Sequence, residues 1–60
     1  MSVKVNNVAK YAESKRYIVA RNLDGELWFW GAWDDEEKAK QAAAEIDGVV
    51  VSTECLDEAA

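Results

Sequence analysis

Sixty residues with twelve acidic and seven basic side chains, a net charge of -5, no histidine, no proline and one cysteine set narrow limits on this chain. They exclude an internal disulfide and a zinc site of the Cys and His kind, remove the commonest acid/base residue at neutral pH, and argue against an enzyme and against direct nucleic-acid binding. No segment approaches the roughly 20 apolar residues of a membrane helix and the start MSVKVNNVAK lacks a signal-type run, so the expectation is one small cytoplasmic domain, residues 1–60, of marginal stability.

Residues 1–15 carry two conflicting periods. Val3 and Val5 alternate with polar neighbours, whereas Val8, Tyr11 and Ala12 have helical spacing. The favoured reading is an extended arm that adds a strand at one sheet edge, followed by a core over residues 16–55.

Arg16 to Asn22 (RYIVARN) and Leu27 to Trp33 (LWFWGAW) are rich in β-branched and aromatic residues, and Asp24-Gly25 lies between them. Asp-Gly suits the two positive-φ positions of a type I′ turn, so the runs form a hairpin. A two-residue turn pairs Leu23 with Glu26, Asn22 with Leu27, Arg21 with Trp28, Ala20 with Phe29, Val19 with Trp30 and Ile18 with Gly31. Alternation then puts Ile18, Ala20, Leu27, Phe29, Gly31 and Trp33 on one face and Tyr17, Val19, Arg21, Trp28 and Trp30 on the other.

A helix is predicted from about residue 34 to about 47. Asp34 serves as N-cap and Glu37 completes an Asp form of the capping box, while Asp35 and Glu36 add charge that suits the helix dipole. Ala39, Ala42, Ala43 and Ile46 form the buried stripe, and Gly48 fits the left-handed position after the last turn. Small alanines let the helix approach a sheet of bulky side chains, and the face with Ile18, Leu27, Phe29 and Gly31 is the expected partner, Gly31 admitting the helix.

Val49 to Cys55 reads as a third strand, buried through Val49, Val51 and Thr53 or through Val50 and Ser52. It lies beside the second hairpin strand or antiparallel to the first. Cys55 is expected as a small core residue, and the tail 56–60 to fray. The predicted fold is α+β: a ββαβ core with a small antiparallel sheet and one helix packed on one face.

Because one helix covers only one face, Tyr17, Arg21, Trp28 and Trp30 become the first candidate site, a self-association or partner surface unless residues 1–15 fold over it. Arg21, opposite Trp28, is placed to stack on that ring. A second candidate is the acidic set Asp24, Glu26, Asp34, Asp35, Glu36 and Glu37, read as a patch for a basic protein groove. Helix capping already accounts for the last four. Their spacing lacks the ligand pattern of a calcium loop, so no metal or other cofactor and no catalytic residue is assigned. Lys10, Lys15 and Arg16, with Tyr17, Trp28 and Trp30, form the alternative of a single-stranded nucleic-acid platform, against which the net charge argues.

The segment RYIVARNLDGELWFWGAWDDEEKAKQAAAEIDGVVV, about 36 of the 60 residues, resembles in layout, size and charge the small acidic proteins encoded by phages and other mobile elements. Anti-CRISPR proteins are among them. The resemblance implies a non-enzymatic inhibitor that binds a host nucleic-acid-handling or defence protein and blocks its substrate site, and it carries over no individual residue. A homodimer through the aromatic face is the companion expectation, with a purely self-associating structural module as the further alternative.

Overall fold

The runs of β-branched and aromatic residues become strands, and the alanine-rich run becomes the helix. The computed structural model describes residues 3–56. Its elements are β1 (Val5–Asn6), a 3-10 helix (Lys10–Ser14), β2 (Tyr17–Leu23), β3 (Glu26–Trp33), α1 (Glu36–Ile46), β4 (Val49–Ser52) and a second 3-10 turn (Thr53–Cys55). The four strands form one sheet in the order β1-β3-β2-β4. This is an α+β fold, but the sheet is mixed, because β1 runs parallel to β3 while β2 is antiparallel to both β3 and β4.

Asp24 and Gly25 take φ of 52° and 83°, as a type I′ turn requires. The Gly25 N–H donates to Asn22 Oδ1 at 3.2 Å. From this turn the register runs as expected from Leu23↔Glu26 to Ala20↔Phe29 and then slips: Val19 pairs with Gly31, Ile18 with Ala32 and Tyr17 with Trp33. Trp30 is the extra residue of a β-bulge.

The slip moves Gly31 and Trp33 from the face of Ile18 and Phe29 to that of Tyr17 and Val19. Tyr17, Val19, Trp33 and Val50 pack with Ala39, Ala42, Ala43 and Ile46 of α1, whereas Ile18, Phe29, Ala32 and Val51 pack on the opposite side with Val3, Val8, Ala12 and Leu56. The helix thus covers the face opposite to the one expected. Gly31 has a different purpose too: a Cβ there would meet the Trp33 ring at 2.6 and 2.9 Å, so the glycine admits that indole and not the helix. Trp33 remains in the helix-covered core as predicted.

The helix stripe is as read from the sequence, with Ala39 and Ala43 buried and Ala42 and Ile46 half-buried. Its caps are each shifted by one residue. Asp35, not Asp34, is the N-cap and accepts from the Glu37 N–H at 2.9 Å. Asp34 instead ties down the chain before β2, accepting from the Arg16 N–H at 3.3 Å and facing Lys15 Nζ at 3.5 Å. At the other end Asp47, not Gly48, is left-handed (φ 55°), and the Gly48 N–H bonds the Ala43 carbonyl at 2.8 Å in a Schellman arrangement. Gly48 is required for another reason, since a Cβ would collide with the main-chain oxygen of Ala20.

These caps lead to a test. Asp35→Ala should cost about 1 kcal/mol, a fall of roughly 4–8 °C in melting temperature, whereas Asp34→Ala loses an exposed ion pair worth about 0–1 kcal/mol and a long, exposed hydrogen bond from the Arg16 N–H, and should cost less. Thermal unfolding that ranks the two in the reverse order would return the cap to Asp34.

β4 adopts the second of its two possible places, antiparallel to β2. The outer edge of β3 is occupied by β1, with Val5↔Leu27 and Asn6↔Trp28, and Asn6 Nδ2 donates to the Leu27 carbonyl at 3.1 Å. Both periods of residues 1–15 are therefore used in turn. The strand takes the sheet edge, and the 3-10 helix sets Ala12 into the core, with Tyr11 edge-on to Phe29 at 6.0 Å between ring centroids.

The arm is tied to the end of the chain. Val3 bridges to Leu56, its N–H bonds the Cys55 carbonyl at 2.6 Å, and the Thr53 hydroxyl lies 2.8 Å from the Lys15 carbonyl. Leu56 is accordingly packed, against the expectation of fraying; residues 57–60 of the predicted tail lie outside the described residues. Among the described residues no helix is long and apolar enough to cross a membrane.

Candidate binding surface

The strands of the hairpin outrun the helix. On β2, Val19 is the last residue packed under α1, while Arg21 and Leu23, on the same face by alternation, are exposed. β4 accompanies β2 only as far as Ala20, so among the described residues the far end of the hairpin is bordered by β1 alone. Trp28, opposite Arg21, lies on this uncovered stretch at 39% exposure, and Leu23 is exposed at 44%.

The bulge brings Trp30 to the same place. In an unbroken ladder Trp30 would face Val19, under the helix; the slip gives that position to Gly31 and leaves the indole 49% exposed. The Arg21 guanidinium sits 5.5 Å from its ring centroid, a cation-π contact that fixes both side chains on one face. The stacking partner of Arg21 is therefore Trp30 and not Trp28. Leu23, Trp28 and Trp30 with Arg21 form an apolar patch, flanked by Asn6, the partner of Trp28, and by Glu26, the partner of Leu23; Lys4 lines a groove together with these two flanking residues.

Of the predicted aromatic set, Arg21, Trp28 and Trp30 are together and Tyr17 is not. Tyr17 is half-buried among the residues under α1. Of the predicted arm, residues 3–15 do fold over the sheet, but over Ile18 and Phe29 on the opposite face, and so leave the two tryptophans open. Leu23 was missing from the candidate set although its position, two residues past Arg21 and opposite Glu26, already placed it there.

The six acidic residues do not form one patch. Asp24 and Glu26 stand at the hairpin turn, while Asp34, Asp35, Glu36 and Glu37 stand beyond the other end of β3, roughly 20 Å away at about 3.3 Å per residue. Asp35 caps the helix, Asp34 holds Arg16 and Lys15, and Glu36 faces Lys40 at 3.6 Å, which accounts for three of the four locally. The basic platform is dispersed as well. Lys15 and Arg16 precede β2, at the end of the hairpin away from Trp28, and Lys10 opens the 3-10 helix, which packs on the face opposite to the one that carries Arg21. Cys55 is exposed in the second 3-10 turn and is not a core residue.

The surface is thus an exposed apolar step beside the helix, with the Arg21 guanidinium lying over one of its indoles. No family model, no curated protein and no solved structure matches the chain, so the reading of this surface rests on its geometry.

Proposed function

We propose that this protein acts by non-covalent binding to protein surfaces, without catalysis, and that Leu23, Trp28 and Trp30 with Arg21 are its principal contact. The observation that carries this reading is the exposure of three large apolar side chains, at 39–49%, on a stretch of sheet that α1 and the N-terminal arm leave open. Tryptophan and arginine are the side chains most enriched where truncation costs most at interfaces, and a contiguous apolar patch rimmed by polar groups is the usual form of such a site. The more specific part of the proposal is an inhibitor of a nucleic-acid-handling or defence protein, of the phage-encoded anti-CRISPR kind. Its support is the small acidic format and the four carboxylates from Asp34 to Glu37, which suit a basic groove.

The test is capture from a bacterial lysate by the tagged chain. A nucleic-acid-handling protein should be retained, with at least about tenfold less retained by Trp28→Ala/Trp30→Ala. Retention should also weaken with salt and with Glu36→Lys/Glu37→Lys, which spares the Asp35 cap. Undiminished capture by the folded tryptophan double variant would overturn the contact assignment. A fall in tryptophan fluorescence on adding a single-stranded oligonucleotide at low salt would favour the nucleic-acid platform in its place.

A further inference from the structure

We propose, resting on the reading of the patch as a protein contact, that its occupant is a second copy of this chain, bound face to face about a two-fold axis.

Charge is the first argument. The chain carries -5 overall, yet the patch is balanced, with the cations of Lys4 and Arg21 against the carboxylates of Asp24 and Glu26. A two-fold interface sets a surface against itself and so requires that kind of self-complementarity. The carboxylates at the helix start lie roughly 20 Å from Trp28 and roughly 13 Å from Trp30 along β3, beyond the Debye length of about 8 Å at physiological salt, so they oppose the pairing only weakly.

Shape is the second argument. α1 forms a layer over Tyr17, Val19, Trp33 and Val50 and ends there, leaving a step at Arg21 and Leu23. Facing sheets pack about 10 Å apart, close to the depth of a helix layer, so a second hairpin laid on the step continues the layer that α1 begins. Each copy then supplies what the other lacks, a cover for Trp28 and Trp30.

Area fixes the strength. At 150–250 Å² per aromatic side chain, the exposed parts of Trp28, Trp30 and Leu23 come to roughly 250 Å². That is the apolar centre of an interface smaller than the standard of about 800 Å² per partner, so the dimer is weak and reversible.

The experiment is sedimentation of the full chain over about a hundredfold range of concentration, with two single charge reversals, Lys4→Glu and Glu26→Lys, both at exposed positions. The wild-type mass should rise from monomer to dimer. Each reversal alone should remain monomeric, since its patches repel, whereas an equimolar mixture should associate at least as well as wild type. Circular dichroism of each variant is the check that it folds.

A wild-type chain that stays monomeric throughout, or reversals that dimerise unchanged, would overturn the proposal. The contact reading is tested separately: a monomeric chain whose lysate capture still depends on Trp28 and Trp30 removes the second copy and keeps that reading. If it is monomeric and capture is independent of the tryptophans, both fall.

Discussion

Ile18→Ala is expected to lower the melting temperature by at least about 10 °C, the largest loss among single substitutions considered for this fold. Ile18 is fully buried between Ala12 and Val51, with Phe29 and Ala32 around it, on the face that the N-terminal arm covers. Truncating a buried isoleucine costs about 2–5 kcal/mol, and in a domain of this size each kcal/mol shifts the midpoint by roughly 4–8 °C. A domain of 60 residues has only several kcal/mol to lose, so a large unfolded fraction at 37 °C follows. Thermal and urea unfolding followed by far-ultraviolet circular dichroism measure it. A fall of only a degree or two would mean that this face is open to water and that the arm is not seated on it.

Gly48→Ala should destabilise by about 1–3 kcal/mol, and Asp47→Gly should stabilise by a few tenths to about 1 kcal/mol. The two positions differ in kind. At Gly48 the added methyl meets the Ala20 carbonyl oxygen, with Ile46 side-chain carbons at 3.0 and 3.1 Å, so relief requires β2 and β4 to move apart. At Asp47 the backbone is left-handed, a conformation that glycine adopts without steric cost. Urea midpoints of the two variants distinguish a glycine kept for close approach from one kept for its φ. Gly48→Ala at wild-type stability would refute the close approach, and a destabilised Asp47→Gly would refute the left-handed cap.

Much of the fold was legible because it depends on neighbours in the chain. The hairpin follows from Asp24-Gly25, whose positive φ values are a local property, and the register holds for the four pairs nearest the turn. The helix stripe follows from alanine spacing, and its limits shift by only a residue or two at either end. The apolar run Tyr17-Ile18-Val19-Ala20 also contained a signal that alternation obscures. Three consecutive side chains in it are fully buried, which is the mark of a central strand covered on both faces.

The candidate surface was half legible. Arg21, Trp28 and Trp30 were identified from alternation and composition, yet alternation alone would have placed Trp30 opposite Val19, under α1. It is exposed because the bulge gives that place to Gly31, where the Trp33 indole needs the space of a missing side chain. A bulge has no sequence signature of its own here; it is selected by how the two faces fill.

The sequence by itself determined the turn, the helix and its small-residue stripe, and the crowding of aromatics into one strand, since these rest on dihedral preference and periodicity within a few residues. Tertiary structure alone decided which face α1 covers, that residues 3–15 close the other, and that β4 lies beside β2. Those outcomes depend on contacts between distant segments, where two apolar faces of similar strength compete for the same helix. In the fold adopted, Trp33 packs over Gly31 on the helix-covered face, and the step at Leu23, Trp28 and Trp30 stays uncovered.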